Sequence, residues 1–351
     1  MTRLSQFQAS LSDLGVSAAL ITSPQNRFYL SGFTGSTATL VITEKKAWIL
    51  TDSRYITQVK AECPLFELVE VKGKYPDFVR ELLGANAVVG FEGSDVTFDW
   101  YDSFTQALND YTFKRLDLSH LRDVKEGNEI DIMKKAGNIA IRALENTLPQ
   151  LRAGMTEREA ELILVTEMKR LGATKESFDT IVASGVRGAL PHGHASDKVI
   201  EQGDFITFDF GCIYNGYCSD VTRTVVLGEP RDPQLVEIYE IVREAQQRAV
   251  DAVRPGLKGS DVDKIARDYI QSKGYGKYFG HGTGHGLGIL VHEYPSVSPA
   301  GDTVLAPGHV ITIEPGIYIE GLGGVRIEDD VLVTKTGHEV LNGFTKQLVK
   351  I

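Results

Sequence analysis

The chain has 351 residues, of which 42% are hydrophobic and 24% charged. These proportions exclude a disordered, collagen-like or disulfide-dense protein, and the length suits two ordinary domains better than one. With 47 acidic against 37 basic residues the net charge is −10, which excludes a general electrostatic footprint for nucleic acid.

The N-terminal segment MTRLSQFQASLSDLG is amphipathic, carries an acid and lacks the apolar core of a signal peptide. No apolar run reaches the ~20 residues of a membrane helix. Three cysteines, Cys63, Cys212 and Cys218, are too few for a disulfide framework, and Cys212 and Cys218 pair only if adjacent strands bring them together. Together these features predict a cytoplasmic protein in a reducing compartment.

Up to residue ~120 the signals alternate between helix and strand at α/β spacing. Helical periodicity covers 3–15. SAALIT (17–22), TATLVIT (37–43), KAWILT (46–51), FELVEV (66–71) and NAVVGFE (86–92) read as strands, with helices at 77–84 and 97–110. The charged stretch 120–148 turns helical after Gly127 and marks the boundary. A second long helix starts at Thr156, where Glu159 completes a capping box. Helices follow near 233–252 and 260–273, the latter with Ser260 as N-cap and Gly274 as stop. Two long hairpins, 204–228 turning at Asn215-Gly216 and 309–334 turning at Gly321 to Gly324, follow these helix pairs. The last ~230 residues thus repeat one unit, helices then hairpin, as in a pseudo-symmetric sheet covered by helices.

Strand alternation selects the carboxylates. Thr207 and Asp209 share one face of the first hairpin, and Asp220, Thr222 and Thr224 share a face of its return strand. Thr312 with Glu314, and Arg326 with Glu328, repeat the arrangement in the second hairpin. A carboxylate flanked by Ile, Phe and Val is costly to bury without compensation, and four together repel. Ordinary strand-end acids paired with bases or facing solvent need no ion, but two hairpins repeating the pattern favour metal. Such oxygen donors with one imidazole suit Mn²⁺ and admit Co²⁺, Fe²⁺ or Zn²⁺.

Of eight histidines only His120 precedes residue 190. The segment FGHGTGHGLGILVHEYP (279–295) offers His281, His285 and His292 among glycines at every second position from 280 to 288. It is neither a dinucleotide fingerprint nor a P-loop, and the His285–His292 spacing excludes a zinc helix of the HExxH type. The glycines let the backbone pass close to a ligand or another strand. The loop ALPHGHASD (189–197) adds His192, poised to orient substrate, and His194, read as solvent-facing. No serine or cysteine nucleophile arrangement is present.

Together, LPHG (190–193), DFG (209–211), SDVTRT (219–224), GTGHGLG (282–288), VHE (291–293), IEPGIY (313–318) and GGVRIEDD (323–330) resemble the prolidase and aminopeptidase P family, Xaa-Pro peptidases of the pita-bread fold. YLSGFTGSTATLVIT and TDSRY (29–55) are similar to the smaller first domain of these enzymes. The resemblance implies an α/β (α+β) architecture. A creatinase/prolidase-like domain would span 1–122, and a pita-bread catalytic domain with pseudo-symmetric antiparallel sheet 123–351. It implies two divalent ions, Mn²⁺ first among them, held by Asp209, Asp220, His285, Glu314 and Glu328. Glu314 would carry the proton, His192 and His292 would be active-site histidines, and Arg326 would lie close to the ions.

The activity so implied is an Xaa-Pro dipeptidase, with aminopeptidase P action on longer Xaa-Pro peptides as the alternative and a non-catalytic peptide-binding member of the fold as a remote one. A homodimer is expected, with neither nucleic acid nor membrane as partner. Two departures stand out. Some relatives carry a basic residue after VHE that meets a dipeptide's carboxylate, whereas residues 295–308 contain no Lys or Arg, and HGHASD differs from the commoner form at His194-Ala195.

Overall fold

The structure is a computed structural model describing residues 2–351, which form two compact units, one ending at His120 and the other spanning Leu121–Ile351. Among the described residues no helix is long and apolar enough to cross a membrane.

The first unit is built on a six-stranded mixed sheet in the order Glu67–Glu70, Ala47–Thr51, Thr39–Thr43, Ala18–Ile21, Val88–Glu92 and Thr112–Leu116. Thr39–Thr43 runs antiparallel to both of its neighbours, and the remaining pairings are parallel. Leu20, Val41, Leu50 and Val89 meet Val79 and Phe104 of two covering helices in a buried core. The first helix is shorter than its periodicity predicts, Arg3–Ser10, because the chain turns at Gly15, where φ is +65°. Three elements escape the sequence reading. Pro24–Ser31 is a helix with Ser23 as N-cap and Gly32 in the left-handed conformation behind it. The others are the helix Ile56–Glu62 and the half-exposed edge strand Thr112–Leu116.

In the second unit the long helix Gly127–Thr147 and the helix Glu157–Arg170 cover one sheet, and Pro233–Ala252 with Gly259–Ser272 cover another. Thr156 caps its helix as read, with both capping-box bonds present. The fourth helix is corrected at its start: it is capped at Lys258, not Ser260, and Ser260 lies inside its first turn, its N–H bonded to Gly301 O.

Each helix pair encloses its own core. Ala140, Leu144, Ala160 and Leu164 pack on Ile206, Phe208 and Val221; Val242, Ala245, Val262 and Ala266 pack on Ile311, Ile313 and Val331. In the first sheet Phe205–Phe210 lies between Ile181–Ser184 and Val221–Val226. In the second, Val310–Ile313 lies between Gly284–Gly286 and Asp329–Val333.

Neither hairpin is the continuous ladder expected from the sequence. The tip of the first, Cys212–Tyr214 with Tyr217–Cys218, leaves for a separate sheet through a turn whose Asn215 and Gly216 both have positive φ. The second splits after Ile313, and Gly316–Ile319 pairs with Gly323–Arg326 in a two-stranded sheet. Pro315 has no N–H to continue the first ladder. Glu328 therefore does not share a strand with Arg326; it lies in the link between Gly323–Arg326 and Asp329–Val333.

Candidate metal centre

Alternation along each strand sends one set of side chains into a core and the other toward the space between the two sheets. Ile206, Phe208 and Phe210 are buried under the first helix pair, leaving Thr207 and Asp209 on the opposite face. Asp209 stands opposite Thr222 in the ladder, and Thr207 Oγ1 meets Thr224 Oγ1 at 3.0 Å. Ile311 and Ile313 likewise enter the second core. Hydrogen bonds knit the two halves here: Glu328 N donates to Thr222 O at 3.1 Å, and Asp220 N to the Asp330 side chain at Oδ2, 3.1 Å away.

The glycines expected to allow close backbone approach do so. A Cβ on Gly284 would stand 1.9 Å from Thr312 O, and one on Gly286 2.1 Å from Tyr294 O. His285 can therefore lie on a strand squeezed between two others.

A cleft of about 560 Å³ opens between the sheets, and Asp209, Asp220, His285, Glu314 and Glu328 all line it, together with His192, His292 and Arg326. Ligand atoms of Asp220, His285 and Glu328 lie within 4.8 Å of one another. His285 Nε2 is 3.6 Å from Asp220 Oδ2 and 3.4 Å from Glu314 Oε1. Asp209 is turned toward Arg326, whose Nη2 donates to its Oδ2 at 2.6 Å. Arg326 also donates from Nη1 to Tyr318 Oη at 2.8 Å and from Nε to Thr222 Oγ1 at 3.2 Å.

Burial dominates the electrostatics. It pushes the Asp220 carboxyl well above the usual range, and the charges of Glu328 and Asp209 push it further. Glu328 is raised in the same way, by burial and then by Glu314 and Asp209, against a bond from Thr222 Oγ1 at 2.7 Å. Glu314 is pushed up to about 8, burial outweighing the nearby Arg326. Burial drives His285 down to about 4, with the His292 ring adding to it, so this imidazole is neutral with Nε2 turned to the acids.

The donor set fits hard or borderline divalent ions. Asp209 Oδ1, Asp220 Oδ1 and Glu328 Oε1 are buried acceptors that no hydrogen-bond donor reaches. Unpaired carboxylate oxygens at this depth are tolerable only if protonated or facing a cation, and carboxylates with one neutral imidazole suit Mn²⁺, Fe²⁺, Co²⁺ or Zn²⁺.

The loop histidines divide as follows. His192 and His292 are exposed at the cleft wall, the His292 ring 4.4 Å from that of His285. His194 is exposed, as the sequence predicts, yet also lines the cleft. His281 lines it too, its Nε2 2.9 Å from Tyr318 Oη. Sequence reasoning passed over Tyr318, whose only signal was its place in IEPGIY, and Asp330, the last acid of the IEDD run. Ser296 and Ser298, which line the cleft with their hydroxyls 2.9 Å apart, were also passed over. The three cysteines are buried and free.

Residues 131–335 match the model of metallopeptidase family M24, and residues 3–124 that of the creatinase/prolidase N-terminal domain. An Xaa-Pro dipeptidase of Pyrococcus furiosus is 41% identical over 99% of both chains. The structure of an Xaa-Pro dipeptidase from Bacillus anthracis superposes with a TM-score of 0.96 at 44% identity, covering 99% of each chain. That of an X-Pro aminopeptidase from Thermotoga maritima gives 0.93 at 40% identity over the whole of both chains. The small mixed α/β domain and the pita-bread domain expected from the sequence are thus both present, and the chain belongs to metallopeptidase family M24, among its Xaa-Pro peptidases.

Proposed function

We propose that the chain is a two-metal Xaa-Pro dipeptidase that hydrolyses the peptide bond preceding proline. The observation that carries this reading is the convergence of three buried, donorless carboxylate oxygens with a neutral imidazole in one open cleft. Asp209, Asp220, His285, Glu314 and Glu328 would hold two divalent ions, Mn²⁺ in the first place. When bound, such ions polarise the scissile carbonyl and lower the pKa of a water nucleophile.

The chain's own groups do the rest. Glu314 Oε1, at the cleft wall, takes up a proton and passes it to the proline nitrogen, which as a tertiary amide has no hydrogen of its own. His192 and His292 face the cleft and hydrogen-bond the developing oxyanion and the proline end of the substrate. Arg326, anchored on Tyr318 and Thr222, holds Asp209 in one orientation.

A second reading, cleavage of longer Xaa-Pro peptides, is favoured by residues 295–308, which contain no Lys or Arg to meet a dipeptide's carboxylate. Hydrolysis of Ala-Pro, Ala-Pro-NH2 and Ala-Pro-Ala under Mn²⁺, with and without chelator, separates the two. A dipeptidase cleaves Ala-Pro and loses at least about tenfold in kcat/KM on amidation, the worth of a charge-assisted hydrogen bond. Turnover of Ala-Pro-Ala without Ala-Pro would establish the aminopeptidase instead, and turnover unaffected by chelator would exclude both. A cytoplasmic homodimer goes with this reading; light scattering at micromolar concentration tests the dimer.

A further inference from the structure

His292 faces the cleft, yet among the described residues its ring makes no side-chain hydrogen bond; its ring contact is with His285, 4.4 Å between centroids at 76°. Its place is therefore set by its backbone. The next residue, Glu293, is the most firmly held group on that segment. Its side chain is 1% exposed and is flanked by Arg122 and by Lys125, the latter also 1% exposed. Oε1 accepts from Arg122 Nε at 2.8 Å and from the Leu290 N–H at 3.1 Å. Oε2 accepts from Lys125 Nζ at 3.3 Å. Lys125 is itself tied down, donating from Nζ to Asp123 O and from its main-chain N–H to Gly308 O.

The turn 288–293 is thus closed on itself by Glu293 and fastened to the segment leading into the first long helix. Gly288 leaves room for this, since a Cβ there would lie 2.4 Å from Glu293 Oε2. Buried charge clusters of this kind add little net stability over apolar residues of the same shape; this one ties the turn to groups that are themselves held. We propose that Glu293, with Arg122 and Lys125, is a positioning residue that fixes His292 over the cleft. The inference rests on the peptidase reading only for the role of His292, not for the tether.

The test is the variant Lys125→Met/Glu293→Gln, which removes one buried charge of each sign and keeps an acceptor for Leu290. Three readouts are expected. In Zn²⁺-loaded, ¹⁵N-histidine-labelled protein, the imidazole resonance assigned to His292 by its loss in His292→Ala shifts or broadens, while that of His338 stays in place. On the best Xaa-Pro substrate kcat falls at least tenfold with KM within about threefold. In a His292→Ala background the same double change lowers kcat less than twofold, because its effect runs through that ring.

An unmoved His292 resonance, or losses that multiply in the His292→Ala background, would overturn the proposal. If the double variant fails to fold, Lys125→Met alone keeps the Arg122–Glu293 pair and is expected to give the same resonance shift with a two- to fivefold loss of kcat. Absence of any Xaa-Pro cleavage by the unaltered enzyme would sink the proposed function instead, with the tether still read from the resonance.

Discussion

Loading the centre with metal should expel protons, in a number the structure sets. In the ion-free protein Glu314 is held at about 8 by burial, so at pH 7 it is about nine-tenths protonated, and metal binding releases about 0.9 proton from this group alone. Asp220 and Glu328 are raised in the same direction and add to the release. His285, pushed down to about 4, arrives neutral and contributes none. By pH 9 the Glu314 share falls to about 0.1 proton. Cleft water reaches Glu314, whose side chain is 18% exposed, and trims its shift. The lower bound is therefore about half a proton at pH 7. Titration calorimetry with Mn²⁺ in buffers of different ionisation enthalpy reads the number as the slope of observed against buffer enthalpy. A slope below that bound refutes the reasoning, as does an unchanged slope in Glu314→Gln, where the release should fall by about 0.5 to 0.9 proton.

The same groups fix how stability follows pH. A raised carboxyl stabilises the ion-free fold fully below its unfolded value and loses that contribution as pH climbs through the folded value, about 8 for Glu314. The gap in Tm between chelated and Mn²⁺-loaded protein should widen from pH 7 to 9. Glu314 contributes about 1.4 kcal/mol, or about 3 °C for a unit of this size; a constant gap in thermal melts contradicts this. Arg223→Met strips the buried guanidinium from Asp329 and from the carbonyls of Thr222, Glu328, Phe344 and Thr345. It should cost about 3–5 kcal/mol in urea unfolding. Gly284→Ala drives a methyl to 1.9 Å from Thr312 O. About 3 kcal/mol of stability should go with it, along with part of the bound metal by elemental analysis, because His285 is displaced.

Much of the centre was legible because it rests on a period of two. Asp209 could be placed by the buried Ile206, Phe208 and Phe210 on the other face, and the glycine alternation announced a backbone squeezed between strands. Where the ladder breaks, the reading loses its basis. Pro315 ends the pairing of Val310–Ile313, so Arg326 and Glu328 reach the cleft from a strand and a link, not from one strand. The capping box at Thr156 was visible because its partners are three residues apart. The Glu293 tether was not, since Arg122 and Lys125 lie far away in sequence. The edge strand Thr112–Leu116 escaped because its exposed Lys114 and Arg115 stand side by side and hide the alternation.

Two consecutive acids show that burial alone does not leave a carboxylate uncompensated. Glu328 and Asp329 are equally sequestered, at 1% and 0% exposure, and burial raises both, yet they end on opposite sides of their usual values. Asp329 finishes low because Arg223 and Lys346 stand beside it at 2.7 Å each. Glu328 finishes high because burial and the neighbouring Glu314, Asp209 and Asp330 carboxylates outweigh its bond from Thr222. The fold pairs two further buried acids in the same way, Asp263 with Arg267 and Glu293 with Arg122 and Lys125. Cations are within reach of this part of the chain and are placed on the neighbour. An uncompensated acid that also lines the cleft, as Glu328 does and the equally buried Asp330 does not, marks where charge must come from outside the chain. By that reasoning Glu328→Gln should make the ion-free protein more stable while abolishing tight binding of a second Mn²⁺. Calorimetry and thermal melts on the same sample decide it: a destabilised ion-free Glu328→Gln protein would mean that the carboxylate serves the fold, not the metal.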